Sequence, residues 1–294
     1  MKKRYVLIVI VCIVITLFWN LVPFPHGLNR YSWRNTSSFD HPVSTAVNVY
    51  CRNHTVPDIT FEKSSWNGGW LNVLKVKLNE DTILQLDYAG EEPKNLDQIE
   101  NAQEGWHRVC GINGGFFNAH EPEYGRPTGC VRMDGTFAEW SGNELTPAYG
   151  SGNVTVYFNK DGHLRFAYHG WGNGKWMPAG DTTWSWDDSI QDFSYRIDET
   201  YGVSGAYLLL RNGYRCFLGR LHSHYWYASD DSAVTLFGET ADGTILMVTA
   251  EHARGGLKEC ELMESLGAVN AIRMDGSYST GMVVDKGLVY HRKN

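Results

Sequence analysis

The chain has 294 residues, 43% of them hydrophobic and 20% charged, with a formal net charge of −7. This suits one large domain or two small ones and excludes a disordered chain. Apart from Lys2, Lys3 and Arg4, the remaining 23 basic residues face 33 acidic ones, so the body carries −10 with no basic stripe. That argues against nucleic acid as a partner. Eleven Trp and 16 Tyr beside 31 Gly favour β-rich structure, each aromatic dividing evenly between a core role and a surface platform.

In chain order, Lys2-Lys3-Arg4 precedes an apolar run from Tyr5 to Trp19 that continues to Phe24. Positive charge ahead of about 20 apolar residues predicts a signal anchor over residues 1–24 with the body outside the cytoplasm. A cleaved signal peptide and a secreted body are the alternative. Residues 25–65, polar and rich in Ser, Thr and Asn, predict a stalk, and residues 66–294 the folded domain. Leu71–Leu78 alternates as a half-buried strand, with Thr82–Tyr88 as its expected hairpin partner across Asn79-Glu80-Asp81. Leu96–Trp106 has helical character, and Val109–Ile112 is a short strand entering Asn113-Gly114-Gly115.

Four turn pairs then predict hairpins: Asp134-Gly135, Asp161-Gly162, Asn212-Gly213 and Asp242-Gly243. The expected pairings are Asn153–Phe158 with Leu164–Tyr168, Gly205–Leu210 with Tyr214–Leu218, and Ser232–Gly238 with Thr244–Ala250. Residues 170–200, without clear period, read as a surface excursion. Leu257–Leu266 has a helical apolar face closed by Gly267, and Val269–Met274 is a strand ending at Asp275. The fold class expected is α+β: a mixed, largely antiparallel sheet core built from hairpins with a few flanking helices. Five cysteines follow the apolar segment, at 51, 110, 130, 216 and 260, with no CxxC spacing for zinc. Cys110 and Cys130 flank the first Gly-rich loop and are a candidate disulfide pair.

Three segments offer chemistry. At Asn113-Gly114-Gly115, a strand empties into two glycines whose N–H groups could face a ligand. At Asp275-Gly276-Ser277-Tyr278-Ser279-Thr280, another strand delivers a carboxylate to a Gly/Ser loop. Asp275 there would serve as general acid/base, hydroxyl acceptor or cation ligand. At Glu251-His252-Ala253-Arg254, three ionisable groups sit between a strand end and a helix start. The first two also read as ordinary turns, and the third as a solvated loop. No nucleophile elbow, HExxH or P-loop is present and Gly111–Gly115 does not extend to a dinucleotide fingerprint, so hydride transfer and ATP use have no support; no cofactor is implied, with a structural or catalytic divalent cation as the alternative.

INGGFF at 112–117, GAYLLLRNG at 205–213, SAVTLFGETADG at 232–243 and LKECELMESLGAVNAIRMDGSYST at 257–280 together resemble the phosphodiester glycosidase family. The resemblance spans roughly residues 70–290. It implies a sugar phosphodiester or related glycoside as substrate, and one pocket lined by the three segments. On that basis Asp275 and Glu251 are the expected catalytic carboxylates, with His252 as an alternative acid/base. Asn113 would orient a sugar hydroxyl. Gly114, Gly115, Arg254, Gly276, Ser277, Ser279 and Thr280 would line the substrate. This chain departs from the family's pattern twice. Ser229-Asp230-Asp231-Ser232 stands where an Arg-Thr pair is usual, and Ser277-Tyr278 replace two glycines. Arg126, Arg254 and Arg273 are the cations left to meet a phosphate. The reading is a membrane-anchored extracytoplasmic glycosidase. The alternative on the same fold is a non-catalytic carbohydrate-binding or exopolysaccharide-assembly protein.

Overall fold

The computed structural model describes residues 42–52, 58–90, 92–118, 124–137, 154–172, 175–179, 198–216, 233–251, 253, 255–285 and 290–292. The expected anchor, the second and third members of the Glu251-His252-Ala253-Arg254 group that carry charge (His252 and Arg254), and residues 180–197 lie outside them. Among the described residues no helix is long and apolar enough to cross a membrane.

Among the described residues there are twenty strands. The first seven are β1 (Pro42–Val43), β2 (Thr45–Arg52), β3 (Asp58–Trp66), β4 (Gly69–Lys77), β5 (Thr82–Tyr88), β6 (Lys94–Asn95) and β7 (Trp106–Asn113). Then come β8 (Val131–Met133), β9 (Thr136–Phe137), β10 (Val154–Phe158), β11 (Leu164–Gly172), β12 (Lys175–Ala179), β13 (Tyr201–Gly205), β14 (Tyr207–Arg211) and β15 (Tyr214–Arg215). The last are β16 (Val234–Thr240), β17 (Ile245–Ala250), β18 (Ala268–Arg273), β19 (Met282–Val284) and β20 (Tyr290–Arg292), with helix α1 (Gly256–Ser265) between β17 and β18. They form a ribbon β1-β6 and three larger sheets, ordered β19-β7-β2-β5, β12-β11-β10-β13-β8-β9 and β15-β14-β18-β16-β17-β4-β3-β20.

The molecule is therefore β-rich rather than balanced α+β. Among the described residues the pairing is antiparallel except for β20 on β3, so the mixed, largely antiparallel part of the expectation holds. The flanking helices reduce, among the described residues, to α1 and short 3-10 turns such as Leu96–Gln98. The helical character of Leu96–Trp106 goes no further, because the following residues cross to β7.

The three sheets enclose one core. Val47 and Val49 of β2, Ile112 of β7, Val156 and Phe158 of β10, Val203 of β13, Phe237 of β16 and Ile272 of β18 all belong to it. Period-two alternation explains the split. On β16, Phe237 enters this core, while Val234 and Leu236 face the opposite side and pack with Cys260, Leu262 and Met263 of α1. The largest sheet is thus buried on both faces, which is why its strands read as continuous apolar runs.

The hairpins β10–β11, β14–β15 and β16–β17 pair as the turn chemistry requires. Gly135, Gly162, Gly213 and Gly243 all hold positive φ. Two expectations fail. Thr82–Tyr88 is a strand, but its partner is β2, with Thr45 opposite Tyr88. The chain leaves one sheet at Lys77 and enters another at Thr82, and β4 pairs instead with β3 and β17. The second concerns residues 25–65. Residues 42–52 and 58–66 form β1–β3, and β2 is buried along nearly its whole length between β5 and β7. Its Asn48 and Tyr50, fully buried, face away from the three-sheet core and bond the buried carboxylate of Asp87 beneath residues 96–101. Isolated polar residues disguised a core strand. Part of 170–200 is also ordered as the hairpin β11–β12, Trp171 opposite Trp176.

Candidate functional site

All three large sheets meet where four chain segments cross: Thr45, residues 113–115, residues 204–206 and residues 273–276. The glycines here make the crossing possible. A Cβ on Gly115 would lie 2.3 Å from the Ser204 carbonyl oxygen, one on Gly205 2.3 Å from that of Arg273, and one on Gly114 2.3 Å from Thr45 Oγ1. No side chain fits at such separations.

Asn113 closes this junction. It is 1% exposed at the end of β7. Its Nδ2 donates to the Asp275 carbonyl at 3.1 Å and more weakly to that of Gly114 at 3.4 Å. Its Oδ1 accepts from Thr235 Oγ1 at 2.5 Å and from the Gly281 N–H at 3.0 Å. Asp275 N–H in turn donates to the Gly114 carbonyl at 3.2 Å. Every polar atom of the Asn113 side chain is committed to protein, so it brackets the two loops and does not orient a sugar hydroxyl. The same correction applies to Gly114 and Gly115. Their N–H groups donate to the Thr45 carbonyl at 2.7 Å and to Thr45 Oγ1 at 3.1 Å. Close approach is what these glycines provide, but to neighbouring strands and not to a ligand.

The Asp275 loop has a different character. Beyond β18, Met274 N–H donates to the Thr235 carbonyl and Ser277 N–H to that of Ala233, so the loop runs beside the start of β16. Gly276 N–H donates to Asp275 Oδ1 at 2.7 Å. Burial pushes the Asp275 carboxyl up to about 6, against the lowering effect of hydrogen bonds from Ser279 and the Gly276 N–H and of the Arg273 charge. Ser277 holds φ +60°, a left-handed conformation uncommon outside glycine. A single 3-10 turn, Ser277–Ser279, carries Tyr278 55% exposed at the rim. Ser277, Ser279 and Thr280 are half-buried on this turn, and Thr280 Oγ1 is buried without a hydrogen-bond partner.

Glu251 follows β17, half-buried, with its N–H donating to the Trp70 carbonyl at 2.9 Å. Because β16 is antiparallel to both β17 and β18, those two strands run the same way and end together. Glu251 and Asp275 therefore leave the same end of one sheet, two strand spacings or about 10 Å apart. Helix α1 connects β17 to β18 over the sheet face.

Sequence reasoning missed what lies behind the loop. Arg273, 1% exposed, pairs with Glu259 of α1, itself wholly buried. Its Nη1 also bonds Tyr207 Oη at 3.2 Å, and Tyr207 donates to Glu259 Oε2 at 2.6 Å. A charged residue inside the apolar strand VNAIRM, and another in the first turn of a half-apolar helix, were the available signal. Arg273 is thus paired beneath the loop and does not stand in simply for the missing cation. The expected Cys110–Cys130 bridge is also absent: Cys51, Cys110, Cys130, Cys216 and Cys260 are free thiols. Cys110 lies in the three-sheet core and Cys130 against the Tyr157 hydroxyl, so flanking one loop did not bring them together. Among the described residues no group of three His, Cys, Asp or Glu side chains is placed to hold a metal ion.

Residues 107–294 match the family model described as phosphodiester glycosidase. No curated protein matches. Among solved structures, a hypothetical protein from Synechocystis is similar over 78% of this chain and 58% of its own, at 14% identity and a TM-score of 0.47. This chain therefore spans somewhat over half of that protein's length. The zebrafish N-acetylglucosamine-1-phosphodiester α-N-acetylglucosaminidase catalytic domain, auto-inhibited by its pro-peptide, is similar over 82% of this chain and 78% of its own, at 18% identity and a TM-score of 0.43. With nearly two thirds of its length covered by the family model, from β7 through the Asp275 loop to the C-terminal residue, the chain belongs to the phosphodiester glycosidase family, a family of hydrolases.

Proposed function

We propose that this chain hydrolyses the glycosidic bond of a sugar phosphodiester or closely related glycoside, with Asp275 as its acid/base carboxyl. One observation carries the reading. A buried aspartate stands at the end of a central strand, on a loop of small polar residues, with its carboxyl held near 6. Such a group is available in both protonation states near neutral pH, as acid/base catalysis requires. A phosphate leaving group has a low pKa and asks little protonation of the enzyme, so the demanding task falls at the anomeric carbon. Glu251, leaving the same sheet end, is the second carboxylate of the pair. Ser277, Ser279 and Thr280 supply hydroxyls along the turn, and His252 and Arg254 belong to the loop between Glu251 and α1. The N-terminal segment anchors the domain at a membrane, on the outer side, where envelope or host glycans are the substrates.

The test is turnover of a panel of sugar 1-phosphodiesters and α-glycosides, with Asp275→Asn and Glu251→Gln as controls. Release of free sugar that the first variant loses by about a thousandfold supports the reading. Saccharide binding without turnover on every substrate overturns it and favours a binding module. That alternative draws support from the exposed Tyr278, which stands where the family pattern has a glycine and offers a ring face at the rim.

A further inference from the structure

Arg273 lies on the face of β18 turned toward α1, since Ile272 and Met274 enter the three-sheet core while Ala271 packs on the helix side. Its guanidinium is directly under the loop: Nη2 is 3.0 Å from the position a Cβ on Gly276 would occupy. Glu259 holds it from the other side, with Tyr207 bridging the two. Glu259 Oε1 also accepts from the N–H of Gly255, at 3.4 Å, where the segment from Glu251 enters the helix at φ +111°. One ion pair therefore ties the roots of both loops that carry the proposed carboxylates. Burying such a pair is a poor way to gain stability, because apolar residues of equal volume do as well or better. Its position beside the loop calls for another explanation.

We propose that Arg273 and Glu259, bridged by Tyr207, are positioning residues that fix the place and charge environment of the Asp275 carboxyl from beneath its loop. The proposal rests on the reading of Asp275 as the acid/base group. Among the described residues, Arg273 is the charged group acting on Asp275, opposed by burial and assisted by the Ser279 and Gly276 hydrogen bonds. Asn113 of β7 and Thr235 of β16 approach from the other elements and are neutral. Glu259 meters how much of the Arg273 charge Asp275 feels. Burial first, and the neighbouring Glu259 second, raise the Tyr207 phenol, so it stays protonated as the donor in this arrangement. Gly276 suits this position because a Cβ there would lie 2.9 Å from the Ala233 carbonyl oxygen and 3.0 Å from the guanidinium.

The experiment is a carbon-13 titration of the Asp275 carboxyl in the folded full-length protein, assigned by its loss in Asp275→Asn, for wild type, Glu259→Gln and the double variant Arg273→Gln/Glu259→Gln. Removing only Glu259's charge leaves Arg273 unneutralised, so the Asp275 midpoint falls by roughly one pH unit. Removing both charges takes the cation away and leaves burial unopposed, so the midpoint rises above wild type. The acid limb of kcat/KM on a sugar 1-phosphodiester moves in the same two directions, and Arg273→Lys, which keeps the charge, returns it toward wild type. A merely structural pair has no cause to shift the midpoint in opposite directions. Equal midpoints in folded variants overturn the proposal, and so does a double variant that cannot fold, since the pair would then belong to stability. Full activity in Asp275→Asn instead removes the catalytic reading, while the midpoints still decide the role of the pair.

Discussion

Asn113 and Asp275 are 162 positions apart in the chain, yet the Asn113 amide donates to the Asp275 carbonyl at 3.1 Å while the Asp275 N–H donates back to Gly114. This reciprocal clasp joins the four-stranded sheet to the eight-stranded one at the end of β18. Asn113→Ala would leave Thr235, Gly281 and Asp275 each short of a buried partner. The expected cost is about 2–4 kcal/mol, read as a fall in denaturant midpoint without change of slope. A loss below about 0.5 kcal/mol would show that the clasp does not hold the sheets.

Asp275 links stability to pH with a definite sign. Its carboxyl binds a proton more tightly in the folded protein, near 6, than in the unfolded chain, near the ordinary aspartate value of 3.8. The folded state therefore carries more protons across that interval, and stability declines as pH rises through it, by on the order of 1–3 kcal/mol. Asp275→Asn removes the penalty. Its melting temperature should exceed wild type at pH values above the folded midpoint and match it below the unfolded one, while turnover is lost. A variant no more stable at neutral pH would show that burial does not raise the carboxyl.

Glycines at the crossing and in the hairpin turns should rank by what a methyl would meet. Gly115→Ala drives a Cβ into the Ser204 carbonyl, and backbone cannot yield as a flexible side chain does. It should be the most damaging, by more than about 3 kcal/mol or by failure to fold. Gly243→Ala meets nothing within 4 Å and is strained only by its φ of +81°, so about 1 kcal/mol is expected. Thermal unfolding of the two variants side by side gives the order.

Ser277 holds its left-handed conformation against the preference of a residue with a Cβ. Ser277→Gly should relieve this and stabilise by up to about 1 kcal/mol, the relief being offset by the freedom glycine gains in the unfolded chain. Equal or lower stability, measured by denaturant midpoint, would mean that the serine side chain compensates.

Free thiols at all five described cysteines make a chemical prediction. Cys51, Cys110, Cys130 and Cys260 are buried and Cys216 partly exposed. Burial raises the Cys216 thiol, so modification is slow but should precede the other four, with all five reacting after denaturation. Peptide mapping that found residues 110 and 130 cross-linked would contradict the structure.

Local chemistry made much of this architecture readable. Turn pairs such as Asn212-Gly213 and Asp242-Gly243 accept positive φ, and each sits in its expected hairpin between alternating apolar residues. The helix before Gly267 and the strand ending at Asp275 follow from periodicity and from a glycine's freedom at a helix end. What periodicity could not convey was partnership. Nothing in Thr82–Tyr88 says that it pairs with Thr45–Arg52 and not with its sequence neighbour, because backbone hydrogen bonds are alike for every strand. Asn48 and Tyr50 made β2 look like linker, since the carboxylate they serve lies on another strand.

The candidate site divides along the same line. From sequence alone, the order of residue types determined which loops leave the sheet and that Asp275 heads one of them, because strand ends and glycine turns are set by a few adjacent residues. Only the tertiary structure decided which groups are committed to protein. Asn113, Gly114 and Gly115 turned inward, as their hydrogen-bond partners at Thr45, Thr235 and Asp275 come from three distant segments. Arg273 found Glu259 across a helix–sheet interface, where burial makes an unpaired charge far too costly. Chemistry between neighbours in sequence is written in the residues, whereas the dielectric and the partners that set a carboxyl's charge exist only once the sheets have met.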